Sequence, residues 1–160
     1  TPLAGPYGHP FHPALVTVPI GAWICSFVFD VVSKRADDPV VYGRGAYWLI
    51  GIGIAGAIVA ALFGLMDLLT IPRGTKAWRT GLLHAAVNDV VLVLFLVSFL
   101  SRRDGDFGET STGLIALSAI ALGLLTVSGW LGGKLAYRFG VRVADDATQA
   151  DGFARPEAAD

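Results

Sequence analysis

Apolar residues fill four stretches of the chain, Pro13 to Val32, Tyr47 to Leu69, Leu82 to Leu100 and Thr112 to Leu131. Each is roughly 19 to 23 residues long, and at about 1.5 Å per residue each covers a hydrocarbon core of about 30 Å. In lipid a segment must satisfy its own backbone hydrogen bonds, so the pattern predicts helices. Helices buried in a soluble bundle would keep a polar face, and the run LIGIGIAGAIVAALFGLM has none. The connections are short, which predicts antiparallel neighbours. The expected fold class is therefore all-α, an integral membrane up-down bundle of four transmembrane helices.

Punctuation marks the ends. Pro13 suits a first helical turn, while Ser33 to Pro39, Ile71 to Gly74 and Arg102 to Asp106 carry the charges, prolines and glycines that stop a helix. Three parts are expected: an interfacial His-Pro segment over 1–12, a transmembrane domain over 13–143, and a poorly ordered polar tail over 144–160. Composition agrees with a bilayer, with 54% of the 160 residues hydrophobic and only 16% charged. The net charge of −1 gives no basis for binding nucleic acid, and the single Cys25 excludes an internal disulfide. No basic region or early cleavage site precedes the first apolar run, so no removed signal peptide is expected.

Without a hydrophobic drive between helices, small residues must let them approach. Two such stripes run along the second span, Gly53-Ala57-Ala61 and Gly56-Ala60-Gly64, and the fourth has Ala119-Gly123 and Gly129-Gly133. Packing inside the bundle is the plain expectation, with one stripe left for a partner protein. Tyr42, Tyr47, Trp48, Trp78, Trp130 and Tyr137 are placed as interfacial anchors. Basic residues divide almost evenly between the two sides, and the slight excess leans towards cytoplasmic termini in a plasma membrane.

The up-down topology gathers ionisable groups on one side. His9 and His12 precede the first helix, Asp67 closes the second, His84 opens the third with Asn88 and Asp89 after it, and Trp130, Lys134 and Tyr137 end the fourth. His9 and His12 each precede proline and are expected to be extended, about 9 Å apart, too far to share one ion without a turn. The favoured reading has this segment fold over the bundle mouth, its histidines bonded to Asp67, Asn88 or loop carbonyls. The alternative is a b-type haem or a divalent metal held by the His9, His12 and His84 cluster; a third reading is an ion path along Asp67, His84 and Asp89. Asp30 stands four residues before Lys34, the spacing of an ion pair on one helix. No catalytic triad, phosphate loop or paired-carboxylate motif emerges, so no enzyme is expected.

Four stretches carry a resemblance: GHPFHPALVTVPIGAW, GLMDLL, LLHAAVND and VSGWLGGKLAYRFGV. Together they resemble a bacterial family of four-helix membrane proteins that carries a domain-of-unknown-function label, some members of which are fused to Rieske iron–sulfur domains. The resemblance covers roughly residues 8 to 143 and points to His9, His12, Asp67, His84, Trp130, Gly132 and Gly133. This chain departs from the fused members, because its tail has no cysteine to hold a cluster. It also resembles the respiratory supercomplex association factors of mycobacteria and their relatives. That likeness implies a non-catalytic accessory subunit partnered by membrane subunits of cytochrome bcc and aa3-type cytochrome c oxidase.

Overall fold

The computed structural model describes residues 5, 10–103, 105, 107–151 and 153. The protein is all-helical, with no strand among the described residues. In chain order the elements are α1 (Phe11–Leu15), α2 (Thr17–Ser33), α3 (Pro39–Thr70), α4 (Lys76–Leu100), α5 (Thr112–Gly133), a π-helical turn (Lys134–Arg138) and α6 (Asp146–Asp151). Among the described residues, four helices are long and apolar enough to cross a membrane: Phe11–Ser33, Pro39–Thr70, Lys76–Leu100 and Thr112–Arg138.

The first span breaks at Val16 because Pro19 has no N–H to give the carbonyl of Leu15. Thr17 eases the junction by donating its hydroxyl to the Ala14 carbonyl at 2.6 Å. Contrary to the expectation of an extended His-Pro segment, His12 is helical: Pro13 falls within the first turn of α1, where a missing N–H forfeits no bond. The helix thus begins at Phe11, and the boundary expected after residue 12 moves into the preceding segment.

The other spans also outrun their apolar cores. α3 starts at Pro39, eight residues before the apolar run, with Pro39 as its first residue and the Asp38 carboxylate accepting from the Val40 N–H at 3.2 Å. Thr75 caps α4 by accepting from the Trp78 N–H at 3.1 Å, and Ser111 caps α5. Within the expected tail a short helix, α6, begins where Asp145 accepts from the Thr148 N–H at 2.8 Å; residues 152 and 154–160 lie outside the described residues.

α2 packs on α3 and α5, and α4 packs on the same two, which sets α2 and α4 across a diagonal. The centre is filled along that diagonal by Trp23 and Phe95, stacked with ring centroids 4.3 Å apart and planes 10° from parallel. Ile50, Val91 and Ala121 complete this core. Gly53 makes it possible, because a Cβ there would strike the Trp23 indole, and Trp23 Nε1 donates to the Ile50 carbonyl at 3.4 Å. Of the expected anchors, Trp48, Trp130 and Tyr137 face outwards. Tyr47 turns in to stack on Phe99 at 4.4 Å, and Tyr42 meets the edge of Phe29 at 5.6 Å.

Candidate functional site: polar layers at the two ends of the bundle

At one end, α1 begins, α3 finishes, α4 begins and α5 finishes. His12 Nδ1 lies 2.8 Å from the carbonyl of Ala60, and a carbonyl only accepts, so this nitrogen is the donor. The imidazole sits where Gly64 has no side chain; a Cβ there would be 2.9 Å from Cε1 and 3.0 Å from Nδ1.

Across the diagonal, His84 Nδ1 is 3.0 Å from both the carbonyl and the hydroxyl oxygen of Ser128. Asn88 Nδ2 donates to the His84 carbonyl at 2.9 Å and lies 3.2 Å from His84 Nε2. An amide nitrogen can only donate, so Nε2 accepts and Nδ1 is the protonated atom, donating to Ser128. Gly132 leaves room for this ring, its absent Cβ falling 3.3 Å from Cε1. The two imidazoles meet edge to face, centroids 6.2 Å apart and planes at 87°.

Asp67 is buried beside them and faces Arg142, with Oδ1 and Nε 3.0 Å apart but no aligned hydrogen bond between them. Arg142 also donates through Nη2 to the carbonyl of Gly5 at 2.5 Å, joining the segment after the fourth span to the one before the first. Its φ of +62° is a left-handed conformation that a bulky residue adopts only at a cost of about 1–2 kcal/mol, which contacts on both sides hold in place.

The layer expected from the sequence is therefore assembled in part. His12, His84, Asn88 and Asp67 come together, and His9 lies outside the described residues. Asp89 does not join: one residue past Asn88 on a helix, it is turned about 100° away and faces outwards. Trp130 and Tyr137 are 67% and 92% exposed, and Lys134 stands over the Trp130 and Phe139 rings at 5.4 and 5.7 Å. Among the described residues no three His, Cys, Asp or Glu side chains are grouped to hold a metal ion.

The opposite end holds a second polar layer that the sequence reading missed. Asp30, fully buried, does not pair with Lys34, which reaches Glu109 at 3.4 Å instead. Arg102 donates Nη1 to Asp30 Oδ1 at 2.6 Å and Nη2 to Oδ2 at 2.8 Å, and Thr110 donates its hydroxyl to Oδ1 at 2.9 Å. Ser33 donates to the Asp30 carbonyl at 2.7 Å and accepts from the Thr110 N–H at 3.1 Å. Ser98 takes Arg102 Nε and Nη2 at 3.3 Å. The signal was available: Asp30 near the end of one helix and Arg102 after another share a side of an up-down bundle.

The small-residue stripes divide as well. Gly53, Ala57, Ala60 and Gly64 turn inwards, and Gly56 lies against Val18 and Pro19, where a Cβ would fall 2.9 Å from Val18 Cγ1. Ala61 faces out, a Cβ on Gly123 or Gly129 would meet open space, and Gly133 borders Tyr137.

No curated protein and no solved structure matches the chain. A family model described as predicted membrane protein (DUF2231) matches residues 8–145, the four spans and both polar layers included. On that match, with four apolar helices behind it, the chain belongs to the DUF2231 family of membrane proteins.

Proposed function

We propose that this protein is a non-catalytic accessory subunit that docks through the bilayer against larger membrane proteins. One observation carries the reading. Asp89 faces outwards from α4 about two residues, or about 3 Å, from the middle of the Leu82–Leu100 run. It has no hydrogen bond or ion pair among the described residues, and its outward neighbours Leu82, Val90, Val93 and Leu96 are aliphatic. A lone carboxylate at that depth costs about 2.5–3.5 kcal/mol even on insertion scales, so it calls for a partner that supplies a cation or donor. The other acids and histidines within the spans are tied to a second element as fasteners: His12 to α3, His84 to α5, Asp30 to Arg102, Asp67 to Arg142.

The partner named by the resemblance is a respiratory supercomplex of cytochrome bcc and aa3-type oxidase in a bacterial plasma membrane, with assembly or stability as the task. A tagged chain solubilised in digitonin should retain cytochromes in fixed ratio and carry no pigment once stripped from them. Asp89→Asn and Asp89→Leu should release those partners, and Asp89→Glu should keep them. Partners retained by Asp89→Leu, or crosslinks from Val93 that reach only lipid or a second copy, would remove this reading. A symmetric pair of copies on this face would set two carboxylates against each other, which is why a different chain is expected.

A second reading, haem or metal binding, draws on the two imidazoles. Both hold Nδ1 against a backbone carbonyl, the arrangement that aims Nε2 of a metal-ligating histidine, and His84 Nε2 would have to exchange the Asn88 amide for the metal. It predicts a Soret band or a stoichiometric metal that stays with the isolated chain and vanishes on substituting His12 or His84.

A further inference from the structure

Where α4 begins and α5 runs into its π turn, a surface depression of about 340 Å³ is lined by Lys76, Arg79, Thr80, Lys134, Arg138 and Phe139. Two sets of residues more than fifty positions apart in the chain thus bring four cations to one hollow. No carboxylate lines it, and none of the four takes part in an ion pair among the described residues. Four like charges around one depression repel unless an anion enters, and the described residues supply none.

The hollow sits where the apolar runs of α4 and α5 end, the level at which lipid phosphates are expected. Lys76 is the first residue of α4, six residues before its apolar run, and Trp78 and Trp130 mark the interface beside it. The Lys134 ammonium is already positioned, 5.4 Å over the Trp130 ring and 5.7 Å over Phe139. Below it on α5, Trp130, Val127 and Gly123 follow at spacings of three and four residues, so they share one outward face with Lys134. Val127 is 49% exposed and Gly123 borders open space, leaving an apolar track that leads from the charged hollow towards the middle of the bilayer. A phosphate above and an acyl chain below match this sequence of surfaces.

We propose that Lys76, Arg79, Lys134 and Arg138 form a binding site for the phosphate of an anionic phospholipid whose acyl chain lies along the Lys134–Gly123 face of α5. The site is independent of the accessory-subunit reading, since it needs no protein partner.

The test uses the full chain in a neutral detergent, with native mass spectrometry counting bound lipid. Cardiolipin or phosphatidylglycerol should be retained and phosphatidylcholine should not, with retention falling as salt rises. Arg79→Gln combined with Arg138→Gln should weaken retention roughly tenfold. Arg35→Gln with Arg44→Gln, at the other end of the bundle, should leave it unchanged. Should the double variant lose helicity, Arg138→Gln alone should still lower retention while Arg138→Lys restores most of it. Equal retention by all variants, or equal binding of phosphatidylcholine, overturns the proposal. Displacement of the lipid by inorganic phosphate at equal concentration would also overturn it, making the hollow a phosphate site without an acyl track.

Discussion

Arg102 grips Asp30 with both terminal nitrogens, at 2.6 and 2.8 Å, across the diagonal of the bundle. The two residues are 7% and 0% exposed, so neither charge has water to fall back on. Removing one partner strands the other. Arg102→Leu or Asp30→Leu alone should destabilise the folded bundle by about 3–5 kcal/mol, whereas the double substitution should recover much of that. Chaotrope titration of helicity in detergent measures the difference, and two equal single losses that simply add in the double would show that the residues do not act as a pair.

The glycines of α3 and α5 should behave oppositely. Gly56→Leu pushes a side chain into Val18 and Pro19, and Gly64→Leu into the His12 ring, so each should cost about 1–3 kcal/mol or more. Gly123→Leu and Gly129→Leu meet open space and should leave thermal unfolding of the isolated chain nearly unchanged. A loss of stability at Gly123 comparable with that at Gly56 would contradict the assigned faces.

His84 joins α4 to α5 through Ser128 and holds Asn88. His84→Ala should lower stability by about 1–3 kcal/mol by leaving polar groups without partners. If the protein is an accessory subunit, the same variant should leave membrane respiration nearly intact. Oxygen uptake by membranes expressing it, compared with the melting of the purified variant, separates the two effects.

The Thr148 backbone N–H donated to the exposed Asp145 carboxylate holds that acid below its usual range. A depressed value means that the ionised form is favoured by folding, so the cap on α6 is fully present above the unfolded carboxylate value and is lost as pH falls through the lowered one. The Thr148 amide resonance should titrate with a midpoint below that of an ordinary aspartate, and Asp145→Ala should abolish the titration and fray α6.

Much of this architecture is legible from residue order alone, because lipid permits so few solutions: four long apolar runs without a polar face had to become four helices. Helix ends were less legible, since α3 and α4 extend beyond the hydrocarbon on caps supplied by Asp38 and Thr75. His12 was misplaced because the bias of a residue before proline yields when that proline occupies a first turn. Asp30 was given to Lys34 by a rule that sees only one helix, whereas its partner arrives from across the bundle. The histidine layer was half visible: topology placed His12, His84 and Asp67 at one end, but Ser128 and Arg142 carry no motif. Their roles depend on how far α5 rotates and where the chain turns after it.

The Asp30–Arg102 grip also has a consequence for how the chain is made. Its members are 72 residues apart, so at roughly 5–20 residues per second the nascent chain carries an unpartnered carboxylate for about 4 to 14 s. During that interval the first helix cannot settle deeply into lipid without bringing water along with the carboxylate. Its position three residues before the end of α2 keeps the acid near the aqueous rim while it waits. Closure of the ends of the first two helices should therefore wait for Arg102, and a chain truncated before it should be cleared by membrane proteases as an unfinished product.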